Sequence, residues 1–118
     1  MKTVHQIASR LITLCREQKF VEAYRELYAE EAESIDPMHS LMPPARGLIT
    51  LIEREKQFLA KATIHKIEVS EPLMAGNYFA INIRMDFTIA DKGRTDLEEL
   101  CVYHVKSGKI VRQQFFID

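Results

Sequence analysis

Asp36 and His39 are the first residues of the chain whose types and spacing could do chemistry. Pro37 follows Asp36, and His39 lies three positions after the aspartate. An aspartate and a histidine this close can act as a base and its orienting partner, or both can hydrogen-bond a ligand. The structural alternatives are an aspartate that starts a turn and a histidine exposed on a loop. Met42 belongs to the same loop, which is apolar for a loop and suits the rim of a pocket.

Tyrosines and one strand face supply further candidate ligand contacts. Tyr24 and Tyr28 lie one helical turn apart and therefore share a face of a predicted helix. Tyrosine rings usually pack in a core, but their hydroxyls can still reach a cavity. A carboxylate on a covered strand face, such as Glu99, needs a partner or the open mouth of a pocket. The other candidates alternate along two later predicted strands: Cys101 and Tyr103, then Gln113 and Phe115.

Composition predicts one folded domain over residues 1–118. Hydrophobic residues make up 47% of the 118 and charged residues 28%, which is enough apolar side chain for a core. The formal net charge is -1, without a basic stripe, so we expect no nucleic-acid partner. Apolar runs are too short to span a membrane, and the N-terminus lacks a signal-peptide core. Two distant cysteines then indicate reduced thiols in a cytoplasmic protein, and we expect no metal and no organic cofactor.

Hydrophobic periodicity predicts three helices before the long strands. Thr3 and Gln6 form a plausible capping box for a helix over residues 4–18. A second, short helix covers residues 20–28, and a third begins after Gly47. The run Glu53-Arg54-Glu55-Lys56-Gln57 is interpreted as the solvent face of the third helix, without a function. The opposite, apolar face carries Leu48, Leu51, Ile52, Leu59 and Ala62.

Strict alternation predicts an antiparallel sheet in the second half of the chain. A short strand over 31–37 ends at the proline, and longer strands follow over 63–73, 78–90, 95–106 and 110–117. Pairing across the turn at Asp91 is expected to bring Ile89 near Thr95, Phe87 near Leu97 and Ile83 near Cys101. The side chains predicted to face the helices are Phe79, Ile81, Ile83, Met85 and Phe87.

The outer sheet face carries apolar residues as well. Leu100 and Val102 lie on the face of their strand opposite to the predicted core. Three helices can cover only one side of a sheet, so a second copy of the chain is expected to cover the other. The sequence therefore predicts a homodimer that pairs through the outer face of the sheet.

The turn at Ser107-Gly108 decides which side chains of the last strand face inward. A two-residue turn and a three-residue bulged turn differ by one residue, so they place opposite sets of side chains inward. The two-residue turn predicts Ile110, Arg112, Gln114 and Phe116 inside. The bulged turn predicts Val111, Gln113, Phe115 and Ile117 inside.

The order of these elements resembles the nuclear transport factor 2-like superfamily and, within it, the SnoaL-like and ketosteroid-isomerase-like branch. The resemblance covers nearly the whole chain and implies an α+β, cystatin-like cone, with three N-terminal helices packed on a curved, mainly antiparallel sheet around a pocket. It also favours the bulged turn. The residues that carry it are Tyr28-Ala29-Glu30-Glu31-Ala32, Ser34-Ile35-Asp36-Pro37, Gly47, Gly76-Asn77-Tyr78, Gly108-Lys109-Ile110-Val111 and Asp118.

The resemblance implies a catalytic role for Asp36. An aspartate followed by proline is the general base of ketosteroid isomerases at this place, where it moves a proton between carbons next to a ketone. This chain departs from that pattern, because the oxyanion-stabilising tyrosine falls at Ile12 and the protonated aspartate falls at Cys101. Neither of these side chains can donate a strong hydrogen bond to an enolate.

Two functions are therefore compatible with the sequence. The first is a domain that binds a small, mostly apolar ligand and acts as a cofactor-independent isomerase, cyclase or dehydratase with Asp36 as base. The second is a noncatalytic homodimeric interaction or structural module whose cone is filled by its own side chains. An open apolar cavity favours the first function, and a centre packed with side chains favours the second.

Overall fold

The computed structural model describes residues 1–37 and 43–118, which form three helices and a curved, mixed seven-stranded sheet. Two helices precede the first strands, and the third lies between β2 and β3. The elements are α1 (Val4–Arg16), α2 (Phe20–Leu27), β1 (Tyr28–Ile35), β2 (Ala45–Arg46), α3 (Leu48–Lys61), β3 (Ala62–Val69), β4 (Leu73–Ala75), β5 (Tyr78–Ile89), β6 (Gly93–Lys106) and β7 (Lys109–Phe116).

The sheet runs in the order β2-β1-β7-β6-β5-β3, and β4 pairs with β5. β1 and β7 are parallel, while the other neighbouring strands are antiparallel. This arrangement confirms the predicted α+β class. The predicted strand over 63–73 is broken at Pro72, which has no N–H for a ladder, and only Leu73 continues into β4. Across the described ranges, no helix has both the length and the apolar character needed to cross a membrane.

The core lies between the helices and the inner face of the sheet. From β5, Phe79, Ile81, Ile83 and Phe87 are buried and Met85 is partly buried, as the alternation predicted. The three helices cover these side chains because each presents one apolar stripe to the sheet. The buried helical residues include Ile7, Leu11 and Leu14 of α1, Ala23 and Leu27 of α2, and Leu51 of α3.

The predicted pairing of β5 with β6 is wrong by two residues. Ile89 pairs with Gly93, Phe87 with Thr95 and Ile83 with Glu99. The loop between these strands is shorter than expected, because the positive φ of 69° at Asp91 lets the chain reverse before Gly93. A shift of two residues keeps every side chain on its own face. The inner face of β6 is therefore still the predicted one.

Each of the two predicted turn geometries gives the correct inward side chains for one part of β7. Lys106 pairs with Lys109, so the turn has two residues, Ser107 and Gly108, with positive φ angles of 51° and 75°. This turn places Ile110 in the core, so the prediction that Val111 faces inward is wrong. The pairing of β6 with β7 then shifts by one residue. Val105 pairs with Ile110, but the preceding residue of β6, His104, pairs with Arg112. Val111 is the extra residue of this β-bulge, which brings Gln113 and Phe115 to the inner face.

The capping box at the start of α1 is present as expected, with bonds of 3.1 Å from the Gln6 N–H to Thr3 Oγ1 and 2.9 Å from the Thr3 N–H to Gln6 Oε1. Thr3→Ala should lower the free energy of unfolding by about 1 kcal/mol, because it removes the cap. Thr13→Ala is the matched control, since Thr13 is exposed within the same helix and alanine favours helix. Urea denaturation measures both. Equal effects of the two substitutions would contradict a role for the cap.

Candidate functional site

A cavity of about 310 Å³ lies between the helices and the inner face of the sheet. Helices α1, α2 and α3 and strands β1, β5, β6 and β7 all contribute to its walls. Apolar and aromatic side chains form most of the lining, including Leu11, Phe20, Leu51, Phe58, Met85 and Phe115. Polar groups are few, and they are concentrated where β1, α3 and β7 meet.

Asp36 lies at the cavity, immediately after the last residue of β1. Its Oδ2 accepts a hydrogen bond of 2.8 Å from Nη2 of Arg54 on α3. The aspartate side chain is 19% exposed and the arginine side chain 33% exposed, so the ion pair is partly shielded from water. The pair ties the end of β1 to α3. Among the described residues, Oδ1 of Asp36 accepts no hydrogen bond.

Gln113 is the centre of a buried hydrogen-bond network. The Tyr28 hydroxyl donates to its Oε1, while its Nε2 donates to the Tyr24 hydroxyl oxygen over 2.9 Å and to Ser34 Oγ over 3.0 Å. The amide therefore uses both of its hydrogens, and its oxygen accepts a hydrogen bond as well. The rings of Tyr24 and Tyr28 are also in contact, with centroids 4.6 Å apart.

Tyr24 keeps a hydrogen-bond donor for the cavity. Its oxygen accepts from Gln113, and no described residue accepts the hydroxyl proton. Burial raises the pKa of Tyr24 above its usual value, so the hydroxyl stays protonated at neutral pH. Tyr24 thus presents a neutral hydroxyl to the cavity.

Glu55 on α3 and Glu99 on β6 form a second polar feature of the cavity. Burial, with a smaller contribution from the nearby carboxylate of Glu99, raises the pKa of Glu55 to about 7. Burial likewise raises the pKa of Glu99, and the charge of Asp36 acts in the same direction. Cys101 Sγ donates to Glu99 Oε1 over 3.6 Å.

Both cysteines are buried free thiols. Burial raises the pKa of Cys15 to about 12 and raises the pKa of Cys101 well above its usual value. A thiol is a nucleophile only as its thiolate, so neither residue is suited to covalent catalysis at neutral pH. Among the described residues, no group of three His, Cys, Asp or Glu side chains could hold a metal ion.

The cavity brings together six of the nine residues that the sequence selected. Cys101 is buried behind the wall, and His39 and Met42 lie outside the described residues. Tyr28 was placed on the second helix, but that helix ends at Leu27 and Tyr28 starts β1. The six residues on the cavity wall are Tyr24, Tyr28, Asp36, Tyr103, Gln113 and Phe115.

Sequence reasoning missed Arg54 and Glu55. Both belong to the charged run that was interpreted as the solvent face of α3, and that interpretation is wrong for these two positions. The helical spacing could have identified both residues. Arg54 and Glu55 lie three and four residues after Leu51, and residues at these spacings share a helix face, which is here the covered one. Ser34 was missed too, although it is inside the Asp-Pro segment that drew attention to Asp36.

Comparisons with known proteins agree with this fold. The family model described as "SnoaL-like domain" matches residues 2–117. A crystal structure from Mesorhizobium loti, provisionally named a SnoaL-like polyketide cyclase, has a TM-score of 0.91 at 25% identity, covering 98% of this chain and 99% of its own. No curated protein matches the chain.

More distant structures share the fold alone. A protein from Catenulispora acidiphila with a ketosteroid isomerase-like fold, solved in complex with trimethylamine, has a TM-score of 0.76 at 12% identity, covering 96% of this chain and 85% of its own. A protein from Bacillus subtilis, provisionally named an isomerase, has a TM-score of 0.76 at 15% identity, covering 99% and 90%.

Glu55 should make stability depend on pH. Its pKa rises from 4.5 to about 7 on folding, so between these values the unfolded chain loses the proton first and the free energy of unfolding falls as pH rises. Glu55→Gln should remove this loss and be more stable than the parent by on the order of 1–3 kcal/mol at pH 8, and by little at pH 5. Urea denaturation at both pH values measures the difference. Glu53→Gln, on the exposed side of α3, is the control, and the same pH dependence in both variants would refute the assignment.

Proposed function

Because the chain belongs to the SnoaL-like domain family, we propose that its cavity binds one small, mostly apolar molecule and that Asp36 moves a proton on that molecule. The reaction would be an isomerisation, a cyclisation or a dehydration without a cofactor. One observation carries the proposal: the Asp36 carboxylate, one oxygen of which accepts no hydrogen bond from the described residues, and the neutral Tyr24 hydroxyl are on the wall of the same mostly apolar cavity.

The size and lining of the cavity support a small ligand. A volume of about 310 Å³ is at the lower end of the range for small-molecule sites. The alternative function, a module with a filled cone, needs side chains that pack to the centre, and the cavity argues against it. The Mesorhizobium loti relative carries the name of a cyclase, which is one of the proposed reaction classes.

The proposed proton transfer uses groups that are already held in place. Arg54 binds Oδ2 of Asp36 and orients the carboxylate, so Oδ1 can take a proton from a C–H bond next to a carbonyl. The electron pair of that bond moves toward the carbonyl oxygen, where the Tyr24 hydroxyl can stabilise the negative charge. Asp36 then returns the proton to another carbon of the same molecule. Gln113 holds the tyrosine oxygen, so the donor needs no reorganisation during the step.

Proton exchange tests the role of Asp36. The parent protein should exchange the α-hydrogens of a small cyclic ketone with D₂O, followed by NMR, and Asp36→Asn should lower the rate about 10²–10⁴-fold with ketone affinity nearly unchanged. Asp86→Asn is the matched control, because Asp86 pairs with Arg94 over 2.8 Å on the outer face of the sheet. Exchange that survives in Asp36→Asn would exclude Asp36 as the base.

We also propose that the outer face of the sheet pairs with a second copy of the chain. Tyr78, Leu100 and Phe116 are 48%, 45% and 41% exposed on neighbouring strands of this face. Large apolar side chains grouped in this way mark interaction surfaces on soluble domains. A two-fold arrangement would let the patch cover itself.

A charge in this patch should separate the copies. Light scattering of the parent protein should give twice the chain mass of 13.7 kDa at micromolar concentration, and Leu100→Glu should give the single mass. The reason is that a buried, unpaired carboxylate is costly in an apolar interface. Ile49→Glu is the control, since Ile49 is 80% exposed on α3, away from the patch. A monomeric parent protein would refute the proposed dimer.

A further inference from the structure

The charges in the cavity wall do not balance. Asp36, Glu55 and Glu99 supply three carboxylates, while Arg54 supplies one guanidinium, and that guanidinium is paired with Asp36 over 2.8 Å. In the described part of the chain, no lysine, arginine or histidine is within ion-pair distance of Glu55 or Glu99. Cys101 is their one described hydrogen-bond donor, and a thiol is a weak one.

This imbalance has no structural benefit in the described contacts. An unpaired carboxylate in an apolar place is costly, whereas an apolar side chain of similar size would pack there without that cost. Glu55 lies between Leu51 and Phe58 on the covered face of α3, where a leucine would extend the core. Two such groups face one cavity, and a bound cation would supply the partner that the described residues lack.

The remaining walls are suited to a cation. Aromatic rings attract a positive charge through their faces, and the attraction grows when the charge is removed from water. Phe58 and Phe87 pack edge to face with centroids 5.5 Å apart, and Tyr24 and Tyr28 are in contact on another part of the wall. All four rings line the same cavity as the two glutamates.

We infer that the molecule bound in the cavity is a small organic ammonium with apolar substituents, and that Glu55 and Glu99 recognise its positive charge. The inference rests on the proposed function in one respect, namely that the cavity binds a small molecule. It adds the class of that molecule. A neutral ketone of the same shape would leave both carboxylates without a partner, so the site should prefer the ammonium compound.

Two probes of the same shape isolate the charge. The (2-hydroxyethyl)trimethylammonium ion and 3,3-dimethylbutan-1-ol differ only in the replacement of N⁺ by carbon. Calorimetric titration at pH 7 should show that the parent protein binds the ammonium at least ten times more tightly than the alcohol. Glu55→Gln and Glu99→Gln should each reduce that preference severalfold, with thermal unfolding confirming that both variants fold.

Matched controls are available on the same two elements. Glu53→Gln on α3 and Glu98→Gln on β6 change exposed carboxylates next to the recognised pair, so they should keep the full preference. A loss of preference in the controls as well would show that the overall negative charge, rather than the cavity, attracts the ammonium, and would overturn the inference.

Proton release provides a second measurement. The groups that face the pair are Asp36, Arg54, Tyr24 and the Cys15 thiol, and burial raises the pKa of Glu55 to about 7. An ammonium next to Glu55 should drive off the proton that this carboxyl holds near pH 7, so titrations in buffers of different ionisation enthalpy should give different apparent heats for the ammonium and equal heats for the alcohol.

The outcomes separate the two proposals. Equal binding of the probes would overturn the ammonium inference and leave the proposed function intact. Binding of neither probe would count against the cavity as a small-molecule site and would therefore overturn both. Preference for the ammonium without proton release would refute recognition by the glutamate pair.

Discussion

The arrangement of the site depends on the side-chain amide of Gln113. It binds Tyr24 on α2, Tyr28 and Ser34 on β1, and it belongs to β7 itself, so one amide connects a helix with two parallel strands. A buried amide is tolerated in an apolar region only when its donors and acceptor are satisfied. Because all of them are satisfied here, the tyrosines, the end of β1 and the wall that leads to Asp36 are held in one geometry.

The cavity next to this network is an opposite case, because the described residues provide few partners for its polar groups. The carboxylates of Glu55 and Glu99 raise the free energy of the folded state when ionised, and a filled core would avoid that cost. The two regions divide the interior of the sheet by function. Buried side chains such as Phe79 and Ile110 stabilise the fold, while ionisable groups line the cavity.

Much of this fold could be predicted from the sequence, because alternation and helical spacing reflect burial directly. The inner face of β5, the capping box at Thr3 and the α+β class all followed from such local patterns. The pairing of β5 with β6 and the inner face of β7 did not, because a short loop and a bulge depend on backbone angles that side-chain pattern encodes weakly. The role of Arg54 and Glu55 was hidden by composition, since a run of charged residues resembles a solvent face even when two of its members turn inward.

The bulge at Val111 also affects how this chain should be compared with others. Val111 is the one residue of β7 without a partner in the register, and without it Ile110, Arg112 and Gln113 would follow one another in regular alternation. A relative that is one residue shorter at this point would therefore keep the same core residue and the same cavity residue. An alignment without a gap would shift the two strands by one residue. The relative's equivalent of Gln113 would then be matched to Arg112 or Gln114 of this chain. Transfer of site residues along this strand thus requires that the gap be placed by structure.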